Sequence, residues 1–226
     1  MRVGLAVPAA GSGRRMGGVK KPFLELAGVP VLQRALQPFL RDARLVAITV
    51  ALAPEDAADP PGWLTGLDVR IRVVVGGATR TDSVRNALAA LPGDVDVIAV
   101  HDAARPFVTD DVVRRCFDLA ALGVGAVAGT PAVDTIKRVD GGGEVVDTPP
   151  RDTLWHAQTP QVFPAGALRQ AYREAHDAGT DDAALVEATG LRIRMVDAGP
   201  RNFKITHPDD VVLGEVVLAS IVPAGR

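Results

Sequence analysis

The chain reads as an α/β domain built on a mainly parallel sheet. Three observations predict this. Short apolar runs rich in β-branched residues alternate with stretches of helical period along most of the 226 residues. The run Val95–Val100, apolar but for Asp96, reads as a strand covered on both faces. Hydrophobic residues make up 47% and charged residues 23%, which is enough apolar material for one substantial core.

The elements follow in order. Arg2–Pro8 is the first strand. Pro30 suits the first position of a helix with Val31, Leu32, Ala35, Leu36 and Phe39 on one face and Pro38 near its end. Leu45–Leu52 is the second strand, followed by a Pro/Asp-rich loop. Val69–Val75 is the third and ends at Gly76-Gly77. Thr81 or Asp82 is placed to cap a helix through Leu91. After Val95–Val100, Thr109 starts a helix that ends near Leu122 with Gly123 as its stop, and Gly125–Pro131 is a further strand. The rhythm then breaks. Val133–Val139 and Glu144–Asp147, joined by Asp140-Gly141-Gly142-Gly143, read as a hairpin with a glycine turn. This insertion, residues 132–150, has too few large apolar residues to bury much by itself. The parallel rhythm resumes with helices near Ala165–Ala178 and Thr180–Ala188 and the strand Leu191–Val196. A last helix has Thr206 as its cap and Pro208 and Asp209 in its first turn. The runs interleave too closely for a domain boundary, so residues 1–226 are expected to form a single domain.

Composition excludes several classes. A net charge of −2 with no basic stripe argues against a nucleic-acid binder. No apolar run reaches the roughly 18 residues that span a bilayer, and the N-terminus lacks a signal-peptide pattern. The single cysteine, Cys116, excludes an internal disulfide and a zinc site of several cysteines, and it fits a reducing cytoplasm.

Function concentrates after the first strand. Pro8-Ala9-Ala10-Gly11-Ser12-Gly13-Arg14-Arg15-Met16 is a glycine-rich, arginine-bearing loop. Its glycines let backbone N–H groups converge on one point, and its guanidinium forks suit phosphate oxygens. Residues 1–24 hold five basic side chains and no acid, so a chain of net charge −2 carries −7 in the remainder. A polyanion, first of all a nucleoside triphosphate, is the ligand this charge pattern fits. Met16 stands where a dinucleotide fingerprint needs its third glycine, and no Gly-Lys-Ser/Thr follows as a Walker loop requires.

Four further segments stand out. His101-Asp102-Ala103-Ala104-Arg105-Pro106 follows the Val95–Val100 strand, where open α/β sheets place ligands, and Asp102 there suits Mg²⁺ bound to phosphates. An ordinary turn in which Asp102 pairs with Arg105 is the plainer alternative, and His101 is equally a wall residue. Gly76-Gly77-Ala78-Thr79-Arg80-Thr81-Asp82-Ser83 could approach a base or sugar closely or simply cap a helix. Arg151 to Gln161 surrounds Trp155. Asn202-Phe203-Lys204-Ile205-Thr206 carries one of only four lysines, with Lys20, Lys21 and Lys137, among 25 basic residues.

Taken in order, Pro8–Met16, Gly76–Val84, His101–Pro106, Val133–Arg138, Leu154–Gln161 and Asn202–Thr206 resemble the 2-C-methyl-D-erythritol 4-phosphate cytidylyltransferases of the non-mevalonate isoprenoid pathway. The resemblance implies a Rossmann-like, mainly parallel twisted sheet flanked by helices, with a protruding β-arm that exchanges across a homodimer. It implies transfer of a cytidylyl group from CTP to methylerythritol phosphate with Mg²⁺ as cofactor. By motif position, Pro8, Ala9, Ala10, Gly77 and Ser83 would contact cytidine and Ala103 the ribose. Gly11, Ser12 and Gly13 would wrap the triphosphate. Arg15, Lys21, Asp102 and Lys204 would be catalytic, with Asp102 holding the metal. Arg105, Thr135, Arg151 and Thr159 would bind the acceptor, Thr135 and Arg151 from the partner's arm. Lys20-Lys21-Pro22 leaves two candidates for the catalytic lysine, with spacing to Phe23-Leu24 favouring Lys21. A ribitol 5-phosphate cytidylyltransferase differs only in acceptor and stays open at this point.

The implied chemistry agrees with the residues. The attacking phosphate oxygen is already anionic, so no general base is needed; the difficulty is repulsion between two anions, which Arg, Lys and Mg²⁺ relieve. A short-chain oxidoreductase is disfavoured, since Tyr172 lacks a lysine four residues on. A CTP-sensing module would bind CTP without releasing pyrophosphate.

Overall fold

The computed structural model describes residues 1–11, 20–175 and 181–221. Its centre is strand β1 (Val3–Pro8), where the side-chain period of two feeds both halves of the core. Val3, Leu5 and Val7 point to one face. There they meet Leu32, Leu36 and Phe39 of α1 (Val31–Leu40) and Val113, Cys116 and Phe117 of α5 (Asp110–Ala121). Ala6 points to the other face, among Val84, Ala87 and Leu88 of α4 (Arg80–Ala90), with Leu168 and Tyr172 of α6 (Ala165–Glu174) and Val186 of α7 (Asp182–Glu187) in the same cluster.

The sheet has seven strands. Beside β1 lie β4 (Leu45–Leu52) and then β5 (Ile71–Val75) on one side. On the other side come β6 (Val97–Val100), β10 (Trp155–Pro164), β7 (Gly125–Pro131) and β11 (Ile193–Asp197). Pairings β1–β4, β1–β6, β4–β5 and β7–β11 are parallel, and β10 runs antiparallel to both its neighbours. Strand order therefore reverses at β1 and β6, and a crevice opens outside their carboxyl ends, the usual ligand position in such sheets.

Two strands match their expected bounds, Leu45–Leu52 and Gly125–Pro131. Thr109 caps α5 as expected, its side chain accepting from the Val112 N–H, and Gly123 just past the helix has φ +76°. Other expectations are corrected. The loop after β4 contains two short helices, α2 (Pro54–Ala58) and α3 (Gly62–Thr65), each with a proline at or next to its first position. α4 is capped by Thr79, two or three residues before the expected Thr81 or Asp82, because Thr79 and Asp82 form a reciprocal capping box. Pro30 precedes α1 as its cap and ends β3 (Val29–Pro30), which pairs with β2 (Glu25–Leu26).

β10 was not expected at all. Its Trp-His-Ala-Gln-Thr-Pro stretch has no strand pattern; the ladders of β6 and β7 on either side impose one, with the register shifting between Ala157 and Gln161 around Pro160. The hairpin is shorter than expected: only β8 (Arg138–Val139) and β9 (Val145–Asp147) pair, and Val133, Val139, Val145 and Val146 are exposed. The start of α8 (Pro208–Ile221) is held by Asp210, whose carboxylate accepts from the Thr206 and His207 N–H groups. The expected cap Thr206 instead turns its hydroxyl to the Lys204 carbonyl. α6 ends at Glu174 and α7 begins at Asp182; the expected extensions to Ala178 and Thr180 fall outside the described residues. No described helix is long and apolar enough to cross a membrane.

Candidate active site

The crevice is a cleft of about 700 Å³. Pro8, Ala9, Ala10 and Gly11 form one wall, continuing β1. Gly77 comes from the turn between β5 and α4, Ser83 from the first turn of α4, and Asp102 and Ala103 from the turn after β6. Lys21 and Lys204 line it too. Ten of the residues predicted from the sequence are thus brought together. Ser12, Gly13, Arg14 and Arg15 lie outside the described residues.

Two glycines let these walls meet. A Cβ on Gly76 would stand 2.4 Å from the Ala10 Cβ, and one on Gly77 would stand 2.1 Å from the Asp82 Cβ. Ser83 shapes the same turn: its Oγ accepts from the Gly77 N–H at 3.1 Å and donates to the Thr79 carbonyl at 3.0 Å.

Asp102 is the electrostatic centre. Lys204 Nζ donates to its Oδ2 at 2.9 Å, Arg80 Nε to its Oδ1 at 3.2 Å, and Arg105 Nε lies 3.5 Å from Oδ2. Burial alone would raise the carboxyl pKa, but Lys204, Arg80 and Arg105 outweigh it and hold the group well below the usual carboxylate range. Asp102 is therefore a fixed anion at neutral pH. The Asp102–Arg105 pair of an ordinary turn is present, but it is only one of three.

Lys204 reaches Asp102 because its segment is stitched to the same turn. The Ile205 N–H donates to the Ala104 carbonyl at 2.8 Å, and Arg105 Nη1 donates to the Asn202 carbonyl at 2.9 Å. Asn202 Nδ2 donates to the Thr159 carbonyl at 3.0 Å. Lys20 is held elsewhere. Its ammonium donates to both Asp56 oxygens at 2.7 Å and to Glu55 at 3.0 Å.

His101 is fully buried and proves to be a wall residue. Its Nε2 faces the Arg105 carbonyl at 3.1 Å, so Nε2 carries the proton. Nδ1 then accepts from the Thr159 hydroxyl at 3.1 Å, and that oxygen accepts from the Asp102 N–H at 2.9 Å. The Thr159 hydroxyl is thus committed to holding Asp102. Burial lowers the His101 pKa to about 4, against the opposing pull of Asp102 and the Arg105 carbonyl, with Arg105 and Lys204 adding to the lowering. The unfolded chain would titrate near 6.5. A depressed histidine contributes stability that is fully present above about pH 6.5 and lost as pH falls towards 4. Urea unfolding across this window should show that loss in the wild type and a shallower slope in His101→Gln; identical slopes would count against it.

Thr135 and Arg151 do not line the cleft. Both are exposed, and Arg151 Nη1 donates to the Val133 carbonyl at the base of the hairpin. Arg80, in contrast, lines the cleft and was not predicted. Its signal was present: it is the cation of the segment that supplies Gly77 and Ser83.

The chain matches the 2-C-methyl-D-erythritol 4-phosphate cytidylyltransferase family over residues 3–220. Among relatives of that name, the protein of Frankia casuarinae is 45% identical, over 99% of this chain and 84% of its own. That of Geobacter metallireducens is 41% identical, over 99% and 100%. The solved 4-diphosphocytidyl-2C-methyl-D-erythritol synthase of Anaerococcus prevotii superposes with a TM-score of 0.86 at 26% identity, covering 96% of each chain. The Thermus thermophilus cytidylyltransferase gives 0.79 at 34%, covering 96% of this chain and 98% of its own. A fixed carboxylate ringed by cations at the switch point of a mainly parallel sheet, in a chain that these sequences match nearly end to end, places this protein in the 2-C-methyl-D-erythritol 4-phosphate cytidylyltransferase family.

Proposed function

We propose that this cleft transfers the cytidylyl group of CTP to 2-C-methyl-D-erythritol 4-phosphate by direct in-line displacement. An acceptor phosphate oxygen forms the new bond to the α-phosphorus as the bond to the β-phosphate oxygen breaks and pyrophosphate leaves. The observation that carries the reading is Asp102, held as an anion at the mouth of the sheet with Lys204 2.9 Å away. Family membership supplies the substrates.

Pro8, Ala9, Ala10, Gly77 and Ser83 form the side of the cleft suited to cytidine, with Ala103 at the ribose. Gly11, Ser12 and Gly13 cradle the triphosphate. Arg15 and Lys21 stabilise charge on the leaving pyrophosphate, and Lys204 stabilises the α-phosphate. Asp102 fits Mg²⁺. It offers hard carboxylate oxygens in the cleft, and among the described residues no group of three or more His, Cys, Asp and Glu could hold a metal ion. An ion held by Asp102 would take its remaining ligands from phosphates and water, as Mg²⁺ commonly does. When bound, it neutralises phosphate charge. The residues themselves orient the two substrates and offset their repulsion.

Arg105 and Thr159 support the acceptor side beneath Asp102. Thr135 and Arg151 reach that side from a second copy, Thr135 on the hairpin, residues 132–150, that crosses the dimer and Arg151 directly after it. The exposed valines of the hairpin support this, since a segment with no local core gains burial only from a partner.

Pyrophosphate release with CTP, Mg²⁺ and each acceptor in turn tests the reading. Methylerythritol phosphate should be the preferred acceptor; faster release with ribitol 5-phosphate would overturn it. Mixing inactive Arg15→Ala with inactive Arg151→Ala should restore activity through heterodimers. No recovery, with subunit exchange demonstrated, would refute the shared site.

A further inference from the structure

We propose that Asp182 and Tyr172 are positioning residues for the transfer, holding Arg80 so that its Nε–H rests on Asp102. This inference depends on the function proposed above.

Arg80 bridges two carboxylates. Its Nη1 and Nη2 donate to Asp182 Oδ1 and Oδ2 at 3.2 and 2.7 Å, while Nε donates to Asp102 at 3.2 Å. A guanidinium is a rigid planar fork, so the bidentate clamp by Asp182 decides where Nε points. Arg80 is the first residue of α4 and lines the cleft; Asp182 lies behind it, with no exposed surface.

Asp182 is itself held from two sides. The Tyr172 hydroxyl donates to its Oδ1. The turn that carries it is tied to β10: Gln161 Oε1 accepts from the Ala183 N–H at 2.8 Å, and Gln161 Nε2 donates to Asp181 at 2.7 Å. Asp181 in turn caps α7 through the Ala184 N–H. β10 is the neighbour of β6, which presents Asp102. Asp182 and Asp102 are therefore referenced to adjacent strands, and Arg80 spans the gap between them.

Two further observations favour positioning over simple stability. Burying a carboxylate costs desolvation that an ion pair rarely exceeds, so a buried pair is weak evidence of a stabilising role. Arg80 also completes the ring around Asp102: Lys204 and Arg105 both approach Oδ2, and Arg80 alone of the three approaches Oδ1. Without the clamp, the guanidinium is free to slide onto Asp102 with both Nη groups or to swing out into the cleft. Either movement disturbs the carboxylate.

The test uses Asp182→Asn and Tyr172→Phe in the full chain. In Asp182→Asn an amide NH₂ meets a guanidinium donor and the fork is lost. Losing a hydrogen-bonding partner that orients a site group typically costs about 10–100-fold. We expect kcat to fall by that factor in Asp182→Asn and in the same direction, by less, in Tyr172→Phe, with the KM for CTP little changed; the melting temperature of Asp182→Asn falls as well, because Arg80 loses a buried partner, and kcat is compared well below it. A second readout needs no turnover: the Arg80 Nε–H, followed by ¹⁵N NMR without nucleotide, should exchange with solvent faster in both variants. Wild-type kcat and wild-type exchange in folded variants would overturn the inference. If Asp182→Asn does not fold, Tyr172→Phe decides by the same two readouts. An inactive wild type with CTP and both acceptors would instead overturn the functional reading, and this inference with it.

Discussion

Asp102→Asn is expected to lower kcat by roughly 10²–10³-fold, the usual loss when one preorganised charged group is removed from a site of this kind. The substitution keeps the shape and removes the charge. Lys204, Arg80 and Arg105 then converge on a neutral amide, and the cleft loses its fixed anion. Stability should fall by about 1–3 kcal/mol, since Lys204 keeps about a third of its side chain in water while Arg105 is mostly buried. The pH dependence has a definite sign. A carboxyl held below its unfolded value, near 3.9, contributes stability that is fully present above that pH and lost as pH falls through the folded value. Asp102→Asn should therefore be less stable than wild type at pH 7, with the difference shrinking in acid. Pyrophosphate-release kinetics and urea unfolding at several pH values measure both effects. A kcat near that of the wild type would remove Asp102 from the chemistry.

Lys21→Ala is expected to lose roughly 10²–10³-fold in kcat, and Lys20→Ala to stay within about threefold. The two lysines are adjacent, yet the fold sends them to different places. Lys21 lines the cleft, while Lys20 pairs with Glu55 and Asp56 on α2. Surface pairs of the latter kind contribute little and are screened by salt. Lys21→Arg should recover only part of the loss, because a compact ammonium and a planar fork place charge differently. Equal losses in the two alanine variants would show that Lys20 also acts on the nucleotide.

The strands flanked by helices on both faces were the most legible elements. Leu45–Leu52 and Gly125–Pro131 need almost no polar side chains, so their bounds are written in hydropathy. Trp155–Pro164 was invisible because only part of it is apolar; its hydrogen-bonding neighbours make it a strand. The helices after β4 were missed because their prolines and acids read equally as loop. Local turn chemistry located Thr109, but it placed the α4 cap two or three residues late, at Thr81 or Asp82, because Asp82 acts instead as the reciprocal partner of Thr79.

The site divides in the same way. Glycines that must admit a close backbone, an aspartate just after a buried strand and a basic N-terminal segment are local facts, and the sequence alone determined them. Family membership follows from their collinear order. Which charges meet is not local. Asp102 and Lys204 stand 102 positions apart, as do Arg80 and Asp182, while Thr159 lies 57 from Asp102 and 58 from His101. Only the tertiary structure decided these pairings, and with them the separation of Lys20 from Lys21. Propensity and hydropathy act over a few residues, whereas a charged hydrogen bond forms wherever strand order and helix packing bring two side chains within about 3 Å.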